Sequence, residues 1–293
     1  MKIVSYNIHY AIGKDDRYDL ERIAAAVAGA DIIALQEVER YYDTPQSPSQ
    51  PENIAALLPE HYWVYDASFD IDCSERQANG HIINRRRQHG QMLLSRWPII
   101  AKRYFALPRV YIDHEFNMQM GVLECIINTP LGALRIYNVH FGSISSEERQ
   151  LQADHVLELV REAPSQGGAW TGSNGEFSER DWCVGNPEPP MPTTAIVLGD
   201  FNLEPDSLEY QILCGATDDT GMALLTDILA LRNPGRKIMS WHSNPSKLGP
   251  KESALLDYCL VTEALMARVN ACWIDEAAAG SDHQPLWAEF DVS

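Results

Sequence analysis

The chain has 293 residues and is 45% hydrophobic, enough for one large core or two smaller ones. Its 23 Lys and Arg against 41 Asp and Glu give a net charge of -18. That field repels nucleic acid, anionic membranes and other polyanions unless a basic patch or a divalent cation reverses it locally. The six cysteines form no C-x-x-C pair, which argues against structural zinc and for reduced thiols in a cytoplasmic protein. Met1-Lys2 leads straight into a strand pattern, leaving no room for a signal peptide, and no apolar run is long enough to span a bilayer. Integral membrane association is therefore not expected.

The first element is an extended apolar run, Ile3 to Ile8, which contains Asn7 near its end. After a loop at Gly13-Lys14-Asp15-Asp16, Leu20, Ile23, Ala24 and Val27 recur at helical spacing, and Gly29 closes that helix. Asp31 opens a strand that ends at Gln36-Glu37, completing a β-α-β unit. Tyr42 to Asn53, rich in Pro, Ser and Gln, reads as a surface loop. Arg85-Arg86-Arg87, with Arg96, Lys102 and Arg103 nearby, is the one basic concentration, either a solvated loop face or a substrate contact. Shorter strands follow at Gln91 to Ser95 and Gly121 to Ile127. Leu134 to Val139 then runs into His140. Ser145-Ser146-Glu147-Glu148 starts a helix with Leu151, Val156, Leu159 and Val160 as its stripe. The next strand, Ala195 to Leu198, ends at Gly199-Asp200-Phe201-Asn202, so the second unit repeats the plan of the first. Ala163 to Thr193, with its prolines, Trp170 and Trp182, reads as a long loop of the kind that is usually functional or mobile. Strands at Leu256 to Val261 and Leu286 to Phe290 close the chain, with Ser281-Asp282-His283 between them. No composition break marks a second domain, and residues 1–293 read as one.

Polar groups thus stand where buried strands end, which is where ligands gather in open α/β sheets. Their types suit metal-assisted chemistry on a phosphate ester. Mg²⁺ takes one or two carboxylates with waters and substrate oxygens, and Glu37 and Asp282 qualify, with Asn7 offering an amide oxygen. Asp200 and His283 are candidates to align and deprotonate a water, and Asp257 to hold His283 in one tautomer. Asn202 and His140 can donate hydrogen bonds to growing negative charge. Each of these residues alone has an ordinary structural reading, as a cap, a turn former or a satisfied histidine. Their recurrence in five separate segments carries the functional one.

The ordered set Ser5-Tyr6-Asn7-Ile8, Leu35-Gln36-Glu37-Val38, Asn138-Val139-His140, Gly199-Asp200-Phe201-Asn202, Leu256-Asp257-Tyr258 and Ser281-Asp282-His283 resembles the endonuclease/exonuclease/phosphatase superfamily over nearly the whole chain. That resemblance implies a four-layer α/β/β/α sandwich of two mixed sheets and a single Mg²⁺-dependent site, with Mn²⁺ as a substitute. It puts Glu37, Asp282 and Asn7 around the metal, His283 with Asp257 and Asp200 at the water, and Asn202 and His140 at the scissile phosphate. Arg149 and Gln152 match the family pattern as structural residues. Two places depart from it. Gly90-Gln91 stands where many members have Gly-Asn, and Gln119-Met120-Gly121 stands where many have an Arg.

A phosphoesterase for a small-molecule or lipid-type phosphodiester or phosphomonoester is the reading favoured by the charge. A DNA or RNA nuclease working through residues 85–103 is the alternative, and a binding-only pseudoenzyme a third.

Overall fold

The computed structural model describes residues 1–42, 49–172, 180–243 and 252–293. The chain first builds β1 (Lys2–Asn7), β2 (Ile32–Arg40), β3 (Tyr62–Asp72) and β4 (Arg86–Ser95). A second sheet takes β5 (Ile99–Ala106), β6 (Gly121–Thr129), β7 (Gly132–His140), β8 (Ala195–Asp200), β9 (Thr226–Asp227) and β10 (Asp257–Val261). The chain then returns to the first sheet with β11 (Val269–Ile274) and β12 (Leu286–Phe290). The sheet orders are β11-β12-β1-β2-β4-β3 and β9-β10-β8-β7-β6-β5.

Each sheet has one parallel pair at its centre, β1 with β2 and β7 with β8, and each pair is joined by a crossover containing a helix. The first is α1 (Leu20–Ala26), capped by Asp19, whose carboxylate accepts from the Arg22 amide. Next in the chain is α2 (Gln50–Leu57). The second crossover is α3 (Ser146–Gln166), capped by Ser145, whose hydroxyl accepts from the Glu148 amide. The repeated plan read from the sequence is therefore the architecture itself.

Alternation along the strands sorts the apolar residues into three cores. Ile3, Ile32, Ala34, Leu93, Leu123, Ile136 and Ile196 fill the space between the sheets. Their chain neighbours Val4, Ile33, Leu35, Met92 and Leu94 face Ile23 of α1, Val27 just after it and Ile54 of α2. On the other side, Val122, Tyr137, Val139 and Val197 face Val156 and Val160 of α3 and Leu213 of α4 (Leu208–Gly215). Period-two burial on both faces makes this a four-layer α/β/β/α sandwich. One polar tie crosses the middle. Asn138 on β7 donates to the carbonyls of Leu35 and Met92, both at 3.0 Å, and accepts from Gln36 Nε2 at 2.7 Å.

Several boundaries differ from the sequence reading. The strand expected to stop at Glu37 continues to Arg40, passing through a bulge. The loop expected from Tyr42 to Asn53 gives way to α2 at Gln50, and its residues 43–48 lie outside the described part. The loop expected from Ala163 begins only after Gln166: Pro164 is tolerated in the last turn of α3, where the Val160 carbonyl it cannot bond accepts from Arg135 at 3.0 Å; residues 173–179 of that loop lie outside the described part. Arg86 and Arg87 lie on β4, and Lys102 and Arg103 on β5, so most of the basic concentration is strand and not loop. No helix among the described residues is long and apolar enough to cross a membrane.

Candidate active site

Pairing register aligns the polar residues of the second sheet. His140 stands opposite Asp200 in the parallel ladder, and Asp200 opposite Asp257 in the antiparallel one. Three neighbouring strands thus place an imidazole and two carboxylates in one row. Gly199 makes this close approach possible. Its φ is 150°, and a Cβ there would sit 2.0 Å from the Val139 carbonyl oxygen. Just beyond β8, Asn202 has a φ of 50°. Its amide N–H donates to Asp200 Oδ1 at 2.9 Å, and its side-chain nitrogen donates to the Phe141 carbonyl at 2.9 Å.

In the first sheet, β2 reaches Glu37 by a bulge. Between Leu35 and Val38, β2 advances three residues while β4 advances two, and Glu37 takes a φ of 58°. Strict alternation from Leu35 would send Glu37 to the helix side and Val38 inward; the bulge puts Val38 on the helix side instead. The extra residue turns Glu37 inward with Gln36. There Glu37 Oε1 accepts from Asn7 Nδ2 at 3.0 Å, and the same nitrogen donates to Asp200 Oδ2 at 2.9 Å. Carboxylates only accept, so the amide nitrogen must lie between them. Asn7 Oδ1 accepts from the His9 amide at 3.0 Å. One asparagine therefore joins the edges of the two sheets.

His140 Nε2 lies 3.8 Å from Glu37 Oε1 and 3.6 Å from Asp200 Oδ2. Burial works to raise the Glu37 pKa, but the neighbouring imidazoles of His140 and His89 and the Asn7 amide hold it below the usual carboxylate range. Its other oxygen, Oε2, is buried and has no hydrogen-bond partner. His283 Nδ1 bonds Asp257 Oδ2 at 2.8 Å, and its Nε2 lies 3.6 Å from Asp200 Oδ2. Burial disfavours the charged imidazole, yet Asp257 and Asp200 push its pKa up to about 10. Burial, the leading cause, raises Asp257 as well, so the pair holds its proton tightly.

Asp282 stands slightly apart. It accepts from Trp241 Nε1 at 3.1 Å, and its other oxygen is 3.6 Å from His9 Nδ1. Two sets of close metal-competent groups occur among the described residues, Glu37 with His140 and Asp200, and Asp200 with Asp257 and His283. Asp282 belongs to neither.

Other residues here were not read from the sequence. Ser240 donates to Asp257 Oδ2 at 2.6 Å and anchors the carboxylate behind His283. His89 is buried between Tyr10 and His140, its pKa lowered to about 4 by burial. Single polar residues outside a strand end carry no pattern that would have marked them. The structural expectations for the α3 pair hold. Arg149 bonds Glu209 and the Gly142 carbonyl, and Gln152 accepts from the Gly142 amide, bracing the loop after His140. The two departures from the family pattern are also braces. Gln91 donates across the sandwich to the Gly121 carbonyl, and Gln119 donates to the Leu107 and Met120 carbonyls.

Residues 4–283 match the Endonuclease/Exonuclease/phosphatase family. The chain belongs to that family. Its members are metal-dependent hydrolases of phosphate esters, and the carboxylate and histidine groups above are ones that could bind a metal. Solved structures share the fold at low identity. An endonuclease/exonuclease/phosphatase from Beutenbergia cavernae is 19% identical with a TM-score of 0.67, covering 99% of this chain and 71% of its own. A mannosyl-6-phosphatase from Bacteroides thetaiotaomicron is 18% identical with a TM-score of 0.63, covering 99% of each chain. A 3' phosphatase from Neisseria, bound to product DNA hairpin, is 19% identical with a TM-score of 0.60, covering 99% of each. No curated protein sequence matches the chain.

Proposed function

We propose that this family member is a Mg²⁺-dependent phosphoesterase, with Mn²⁺ as a substitute, acting on a phosphodiester or phosphomonoester of a small-molecule or lipid-type alcohol. The observation that carries it is the pairing of the buried His283–Asp257 dyad with an unpartnered Glu37 oxygen across one sheet edge. Residues 1–293 act as one unit in this reading, because both sheets contribute.

A buried carboxylate oxygen without a partner is costly, and it fits a cation site. Glu37 would hold the ion, with Asp282 and Asn7 around it, and the ion supplies charge neutralisation on the phosphoryl and leaving oxygens. Asn7 contributes chiefly by fixing the Glu37 and Asp200 carboxylates, since its own oxygen is already engaged. Asp257 fixes the His283 tautomer, which leaves Nε2 facing Asp200. The charge of a bound cation would oppose the carboxylates that raise the His283 pKa, and with it in place Asp200 and His283 together orient a water and take its proton. His140 donates to a phosphoryl oxygen, as does the second amide hydrogen of Asn202, whose first is committed to Phe141.

Charge supports the small substrate. In the basic concentration, Arg85 pairs with Glu75, Arg86 with Asp70, Arg96 with Asp31, Lys102 with Asp66 and Arg103 with Glu124. Among the described residues only Arg87 of these six lacks a carboxylate partner. Extended nucleic acid is disfavoured on that account; the fold shared with the Neisseria enzyme keeps a nuclease or DNA phosphatase as the second reading. Cytoplasmic location belongs to the same proposal, supported by six free cysteines, three of them buried. The test is an assay with Mg²⁺ or Mn²⁺ over a phosphodiester, a phosphomonoester, plasmid, RNA, sphingomyelin and inositol phosphates. Turnover of small esters above nucleic acid is expected. Cleavage of plasmid or RNA alone would transfer the assignment to the nuclease.

A further inference from the structure

The residues that follow Asn7 have no part in the hydrolysis outlined above, yet their backbone is the most strained near the site. His9, Tyr10 and Ala11 take φ values of 43°, 56° and 65° in succession. Left-handed backbone costs an L-residue roughly 1–2 kcal/mol each, so three in a row persist only where the surroundings impose them. Here they do. The Ala11 amide donates to the Ile8 carbonyl at 2.8 Å, and the Asp19 amide donates to the Ala11 carbonyl at 2.9 Å. Buried Gln50 donates to the Tyr10 carbonyl at 2.8 Å while its oxygen accepts from the Glu39 amide at 2.9 Å.

The turn places two rings. His9 lies toward Asp282, and the hydroxyl of Tyr10 faces the Glu37 carboxylate, which raises its pKa, with the ring 5.8 Å from that of His89. Behind Tyr10 stands Tyr42, 6.2 Å away and within 7° of parallel. The segment before Tyr42 is held by the basic triplet. Arg87 donates to the Tyr41 carbonyl at 3.1 Å, and the Arg85 guanidinium lies 5.9 Å from the Tyr41 ring centre. Tyr41 itself has a φ of 52°. Tyr10 and Tyr42 both keep part of their surface open to solvent.

We propose that Tyr10, backed by Tyr42, forms the wall that contacts the alcohol part of the ester and selects an alcohol with a flat or ring-shaped face. The inference rests on the phosphoesterase reading. The carboxylates facing the wall offer no attraction to a second anion, whereas paired aromatic rings offer dispersion contact to the face of another ring.

The experiment measures binding of phenyl phosphate, methyl phosphate and inorganic phosphate by calorimetry. It uses the His283→Ala protein with Mg²⁺ or Mn²⁺, so that turnover does not intrude. Phenyl phosphate is expected to bind more tightly than methyl phosphate by roughly threefold to tenfold, the range of one aromatic contact. Adding Tyr10→Ala removes that preference and Tyr10→Phe keeps it; both lose the hydroxyl that faces Glu37, so affinity for inorganic phosphate, which has no alcohol, differs less than about twofold between the two. Tyr42→Ala, at a more exposed ring, removes part of the preference and serves as the variant that spares the strained turn. The proposal is overturned if phenyl phosphate is not preferred, if both alanine variants keep the preference, or if phosphate affinity falls from Tyr10→Phe to Tyr10→Ala in step with it. Failure of all three ligands to bind with either cation would overturn the phosphoesterase reading, and the wall with it.

Discussion

His283 has one ring nitrogen on Asp257 and the other facing Asp200, the geometry of a base held by one carboxylate and aimed past another. His283→Ala is expected to lower turnover at least about a hundredfold, the lower end for general acid–base groups. Asp257→Asn should give a large part of that loss, and the double variant little more, because Asp257 acts through His283. Additive losses in steady-state rates would assign Asp257 a separate role. The raised pKa also has a thermodynamic sign. A folded-state value of about 10 against 6.5 means that the stabilising contribution of His283 is full below pH 6.5 and is lost as pH climbs toward 10. Urea midpoints of the metal-free protein should fall across that window, and His283→Ala should flatten the fall. Glu37→Gln keeps size and removes the charge beside the unpartnered oxygen. Metal-dependent activity should drop by orders of magnitude, with the circular dichroism spectrum unchanged. Near-normal turnover at saturating Mg²⁺ would remove Glu37 from the metal site.

At the scale of elements, two devices convert strand ends into a site. One is the β2 bulge that turns Glu37 inward, and the other is the close packing of β8 on β7 at Gly199. Gly199→Ala would drive a methyl group into the Val139 carbonyl of the ladder that aligns His140 with Asp200. A loss of about 2–4 kcal/mol is expected from overpacking and strain at a buried position, read as a lower denaturation midpoint. A neutral result would mean that the ladder can open there without consequence. The strands that escaped sequence reading share one property. Within the two large sheets β3, β5, β9 and β11 all lie at edges, where burial is partial or the strand is short and the continuous apolar run of a central strand is absent.

For the whole molecule, the net charge of -18 and the pairing of nearly every cation in the 85–103 region predict poor binding of long nucleic acid. Each neutralised phosphate steepens the fall of affinity with salt by about 0.9, and Arg87, among the described residues the one of these six cations without a carboxylate partner, supplies few such contacts. Oligonucleotide dissociation constants of roughly 10⁻⁴ M or weaker near physiological salt are expected, measured by fluorescence anisotropy on the His283→Ala protein with Mg²⁺. Sub-micromolar binding with a steep salt slope, weakened by Arg85→Ala and Arg86→Ala, would favour the nuclease.

The sequence by itself determined the two β-α-β units, the strand ends at Asn7, His140 and Asp200, and the family. Buried parallel strands and amphipathic helices leave periodic apolar patterns, and polar residues at their ends stand out against them. Tertiary structure alone decided which of these groups meet. It put Asn7 between Glu37 and Asp200, set Asp282 apart beside Trp241 and His9, and brought Ser240, His89 and Tyr10 into the site. Those outcomes depend on a bulge, a left-handed turn and pairing register across sheets, which arise from contacts between residues far apart in the chain and leave no local periodicity to read.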